Sequence, residues 1–122
     1  IPPAPGQGAI AVQIRRDDAA MVASASAIDD GRTRQAVEAE RTFLSASGGG
    51  CRSPIGALAT MAGDDLDLFG GWVSPDGSGK VVSGRRGPVE DGDQLARELA
   101  ADFGSRTGLR PTVGHDQTAL PR

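Results

Sequence analysis

The chain has 122 residues and carries 16 acidic against 13 basic side chains, so it lacks the basic surplus of a general nucleic-acid binder. Its single Cys excludes an internal disulfide framework, and one Cys with one His excludes a Cys/His zinc site, so no metal is expected. No run of about 18 apolar residues exists to span a membrane, and Gly and Ala, at 18 residues each, leave little side-chain volume for a core.

Residue 1 is Ile, and no charged-then-apolar leader opens the chain, so the sequence reads as a processed product or a piece of something longer. Residues 2–8, Pro-Pro-Ala-Pro-Gly-Gln-Gly, exclude helix. In residues 9–15, Ile10, Val12 and Ile14 alternate with Ala11 and Gln13, the period of a strand. Asp17 or Asp18 then stands where it can cap a short Ala-rich helix over 19–25.

Asp29-Asp30-Gly31 breaks that helix, and Asp30 or Thr33 caps a second one running to about Ser47. Ala36, Val37, Phe43 and Leu44, with Glu40 between them, share one face of it. Gly48-Gly49-Gly50 stops it. Three strand-like runs follow at 55–61, 66–73 and 80–86, separated by Gly63-Asp64-Asp65 and by residues 74–79, where Asp76-Gly77 is a strong turn signal. Leu66 and Leu68 point inward with Asp67 outward, and Gly70-Gly71 suggests a bulge or a close backbone approach. Asp91 or Asp93 caps a last helix to about Ser105, with Leu95, Leu99 and Phe103 at every fourth position. Residues 109–122 read as a loose tail.

The plan is α+β: a three-stranded antiparallel sheet covered by two helices in the order αβββα, preceded by an orphan strand and a short helix. The orphan strand belongs either to an edge of this sheet or to another domain.

Several motifs fail on context. Gly6 to Ala11 matches a dinucleotide-binding fingerprint by identity, but a strand follows the glycines where a helix is required. The segment reads as a tight turn that leaves Gln7 free to point outward. Gly77-Ser78-Gly79-Lys80 lacks the P-loop's earlier Gly, which is Ser74, and its hydroxyl residue, which is Val81. The lone His115 sits in the tail, so acyl-transfer catalysis lacks parts.

Cys51 remains. A lone Cys is most often a small buried hydrophobe. Against that, this one stands in a loop, behind three glycines that leave the backbone bare, and beside Arg52, whose charge favours thiolate. The negative end of the preceding helix works the other way. A thiol alkylated once and kept as a thioether needs less activation than a turnover nucleophile.

Pro-Ala-Pro-Gly-Gln-Gly-Ala at 3–9, Ala39-Glu40-Arg41-Thr42-Phe43-Leu44, and Gly49-Gly50-Cys51-Arg52-Ser53-Pro54-Ile55-Gly56, in that order, resemble the porphobilinogen deaminase (hydroxymethylbilane synthase) family. The resemblance implies a three-domain transferase of haem and porphyrin (tetrapyrrole) biosynthesis, cytoplasmic and monomeric, that joins four porphobilinogen units with loss of ammonia into hydroxymethylbilane. It implies a dipyrromethane cofactor held by a thioether at Cys51, with Gly50 and Arg52 beside it, and a substrate-side lining at Gln7 and Gly8.

On this resemblance residues 1–28 belong with the N-terminal domains of the enzyme, residues 29–108 form the cofactor-carrying C-terminal domain, and 109–122 are tail. The family's catalytic Asp and its Arg cluster belong to the N-terminal domains. The chain alone is therefore expected to hold no catalytic residue, to be inactive, and to carry a free thiol. Its expected partners are those domains and porphobilinogen, with no nucleic acid and no membrane. The competing reading is a non-enzymatic interaction or ligand-sensing module in which Cys51 is structural.

Overall fold

The computed structural model describes residues 2–50 and 53–108. Cys51, Arg52 and the expected tail, with His115, lie outside the described residues.

Helix α1 spans Ala19–Ala27 and buries none of its residues. Asp18 caps it, its Oδ1 accepting from the Met21 N–H at 3.0 Å. Helix α2 spans Gly31–Ala46 and starts at Asp30, whose Oδ1 accepts from the Thr33 N–H at 2.7 Å. That hydrogen bond holds the Asp30 carboxyl below its ordinary value. The helix ends at Ser47, and Gly48 takes φ +72°, a left-handed conformation that glycine adopts freely.

Three antiparallel strands follow in sheet order β1 (Ile55–Ala62), β2 (Asp65–Val73) and β3 (Lys80–Pro88). The turn between β1 and β2 needs only Gly63 and Asp64, with Gly63 at φ +67°, the geometry of a tight hairpin with glycine first. Between β2 and β3, the Ser74 hydroxyl donates to Asp76 Oδ1 at 2.6 Å and accepts from the Gly79 N–H at 2.7 Å. The Ser74 hydroxyl, together with the N–H and hydroxyl of Ser78, brings the Asp76 carboxyl down to about 2. A 3-10 turn at Val89–Asp91 leads into α3, Gly92–Thr107, which closes on Gly108 at φ +71°.

Helices α2 and α3 cover one face of the sheet, α2 over β1 and α3 over β3. Between the layers lie Phe43, Phe103, Leu66, Leu68 and Leu99, all fully buried. Phe43 and Phe103 meet edge to face with centroids 5.1 Å apart. Small residues (Ala39, Ala57, Ala96 and Ala100) fill the rest, so the helices sit close to the sheet. The Ala-rich composition therefore shapes this core, and the apolar volume concentrates in a few large side chains.

Several expectations are refined. Residues 9–15 do not form a strand: among the described residues no strand pairs with them, and without a ladder the alternating pattern has nothing to organise it. Gly70 and Gly71 mark close approaches with no bulge, since the register runs unbroken through both. Asp91 precedes α3, but its side chain makes no capping bond. Asp93 instead accepts from Thr42 Oγ1 at 3.0 Å and Arg97 Nε at 2.8 Å, linking α3 to α2.

Candidate functional site

The segment before the first helix folds as two successive turns. The Gln7 N–H donates to the Ala4 carbonyl at 3.0 Å, and the Ala9 N–H to the Gly6 carbonyl at 3.2 Å. Each turn has a glycine third, Gly6 at φ +77° and Gly8 at φ +91°, where a side chain would be strained. Pro5 fixes the position before Gly6. Sequence chemistry thus dictates the shape of the Pro-Gly-Gln-Gly stretch.

This stretch is docked on the α+β layer. The Ala57 N–H, on the free edge of β1, donates to the Pro3 carbonyl at 2.8 Å. Pro2 lies against Gly56 and Gly71, and a Cβ at Gly71 would stand 2.9 Å from the Pro2 ring. Gly6 rests on α2, near Val37 and Arg41. Its N–H donates to Glu40 Oε2 at 2.6 Å, and the other oxygen of Glu40 accepts from the Ala59 N–H at 2.7 Å. Glu40 is buried (6% exposed).

Of the predicted site residues, Gln7 and Gly8 are exposed on this turn. Among the described residues a Cβ at Gly8 would meet nothing within 4 Å. Gln7 is less free than its sequence suggests, because its Oε1 accepts from the Ala4 N–H at 3.2 Å; its Nε2 has no partner among the described residues.

Gly50 is the described residue next to Cys51. It is exposed, and among the described residues a Cβ there would also meet nothing within 4 Å. Gly50 and Ser53 bond to each other: the Ser53 N–H donates to the Gly50 carbonyl at 2.9 Å, and the Gly50 N–H to Ser53 Oγ at 2.7 Å. Gly49, by contrast, is packed: a Cβ there would run into Leu44 and Ile55. Among the described residues the glycine run therefore has a packed anchor at Gly49 and an open end at Gly50, and the open end adjoins Cys51.

Glu40 is the residue that sequence reasoning left without a role. Its signal is legible: a carboxylate on the helix face that carries Ala36, Val37, Phe43 and Leu44. Among the described residues no group of three or more acidic, His or Cys side chains could hold a metal ion, and no helix is long and apolar enough to cross a membrane.

Residues 34–103 match the family model described as porphobilinogen deaminase, C-terminal domain. Curated relatives agree with that match. The chain is 43% identical over 105 residues to porphobilinogen deaminase of Acidothermus cellulolyticus, covering 83% of this chain and 32% of that protein. It is 42% identical to the Nitrobacter winogradskyi protein of the same name, covering 87% and 34%. It is 44% identical to porphobilinogen deaminase 1 of Streptomyces avermitilis, covering 83% and 34%. The chain spans about a third of the length of these relatives. With the αβββα layer in place and the matched stretch running through the Gly-Gly-Cys block, the chain belongs to the porphobilinogen deaminase family, in its C-terminal domain.

Proposed function

We propose that this chain is the cofactor-carrying part of a transferase that joins porphobilinogen units, with release of ammonia, into hydroxymethylbilane. The observation that carries the reading is the open end of the glycine run: among the described residues nothing lies within 4 Å of a Cβ at Gly50, the position before Cys51, inside the stretch that matches the family's C-terminal domain. A pyrrole pair on sulfur needs such room, so the described residues fit a dipyrromethane group.

In this reading Cys51 holds the group through a thioether, which suits a soft sulfur and a pyrrole methylene. When bound, the group supplies the primer to which porphobilinogen is added. Arg52 pairs with a ring carboxylate, as a guanidinium does well. Gln7 offers its free Nε2 as a donor, and Gly8 leaves the backbone bare for substrate to approach.

The acid–base and remaining carboxylate-binding work falls to other domains of the enzyme, which are the expected partners. Ile10, Val12, Met21 and Ile28 support this, since each is exposed (48–94%) on the segment that runs ahead of α2. The complete enzyme is read as a cytoplasmic monomer, and this chain on its own as inactive with a free thiol.

Intact-protein mass of the enzyme, produced with its N-terminal domains, tests the reading. A pyrrole pair adds a mass on the order of several hundred daltons. The adduct should map to Cys51 and disappear in C51S. An active enzyme without it, or an adduct that persists in C51S, overturns the proposal. Ammonia release from porphobilinogen by the 122-residue chain alone would overturn its inactivity.

A further inference from the structure

A buried carboxylate is costly unless each oxygen is satisfied. Glu40 meets that demand without a cation: among the described residues no salt bridge reaches it, and both acceptors are backbone-bonded. The two donors come from separate places. Gly6 belongs to the Pro-Gly-Gln-Gly turn, and Ala59 to the free edge of β1, the strand that the Cys51 loop leads into. An aliphatic side chain would serve packing alone at least as well. What it lacks is two acceptors carrying no donor, which only a carboxylate offers.

We propose that Glu40 is a positioning residue, fixing the Gly6-Gln7-Gly8 turn at a set place relative to β1 and so to the loop carrying Cys51. The proposal rests on the reading that Gln7 and Gly8 line the porphobilinogen site. Glu40 touches no reacting atom; it acts through the turn. A Gln at this position keeps shape and volume but presents an NH2 to one of the two backbone N–H groups, so it breaks one of the two bonds. The turn then loses its fixed stand while the core around Phe43 stays filled.

The test uses the complete enzyme as E40Q, Q7A and the double variant, with the mass of the Cys51 adduct measured first. With the adduct present throughout, E40Q should raise KM for porphobilinogen about tenfold while kcat stays within about twofold. E40Q and Q7A should also be non-additive, the double variant being no worse than the poorer single, because both act at one turn. An unchanged KM in E40Q, or fully multiplicative effects, overturns the proposal.

Two further outcomes are separable. A parent enzyme without adduct overturns the cofactor reading, and the Glu40 contact is then judged by amide exchange in the 122-residue chain. Exchange there should be at least about tenfold slower at Gly6 than at Gly8, since only a bonded amide is protected. Equal rates overturn the contact, and this measurement also decides the matter if E40Q fails to fold.

Discussion

The ring of Phe43 occupies the space that a side chain at Gly70 would need: a Cβ there would lie 2.5 Å from the ring's Cζ and within 3.1 Å of both Cε atoms. Helix α2 thus meets β2 through an aromatic ring laid on bare backbone. Phe43 is wholly buried and braced edge-on by Phe103, so it has nowhere to turn. G70A should therefore cost about 1–3 kcal/mol, the usual price of overpacking a tight core. Urea unfolding checks it: the midpoint should fall while the slope stays the same. An unchanged midpoint would show that the helix can lift off the sheet freely.

Much of this arrangement is legible in the sequence, for identifiable reasons. The three strands and two covering helices follow from period-2 and period-4 patterns bounded by Gly and Asp, because each element buries one face against another layer. Gly48 and Gly63 stand at positive φ where the chain had to stop or turn. Residues 9–15 misled because alternation states only which side chains could share a face, and a strand also needs a partner. The site was half legible. The Gly-Gly-Cys block announces itself, and among the described residues nothing stands within 4 Å of a Cβ at Gly50. Nothing in residue spacing says that Gly6 donates to Glu40, 34 positions away, or that Gln7 folds back on Ala4; both depend on where the turn lands.

The segment 9–15 supports a prediction of its own. No backbone N–H from residue 10 to residue 17 donates a backbone hydrogen bond among the described residues. Ile10 is 94% exposed. Amides of residues 10–15 in the 122-residue chain should exchange at nearly unprotected rates, while those of β2, paired on both sides, should be the slowest. Strong protection over 10–15 in a proven monomer would contradict this and point to a strand ladder.

Ser47 caps the end of α2 with its backbone, yet its hydroxyl is buried without a hydrogen-bond partner among the described residues. A buried donor left unpaired costs free energy that its replacement by a methyl recovers. S47A should therefore raise stability by about 0.5–1 kcal/mol, read as a higher urea midpoint. A loss of stability would mean that the hydroxyl has a partner of consequence.

Asp30 gives a pH-dependent prediction whose sign is fixed by its capping bond. The Thr33 backbone N–H, and then its side chain, hold the folded carboxyl below the ordinary 3.8. The folded state therefore prefers the charged form more than the unfolded chain does. The resulting stability is fully present above 3.8 and is lost as pH falls through the lower folded value. D30N retains an acceptor for the Thr33 N–H but does not titrate. It should stay near the parent's urea midpoint at neutral pH and lose less of it than the parent does on acidification below 3.8. D30A removes the acceptor, so it should lower the midpoint at neutral pH and show the same weakened acid dependence as D30N. A D30N profile that tracks the parent throughout would mean that other carboxylates, among them Asp76 and Asp93, govern the acid limb.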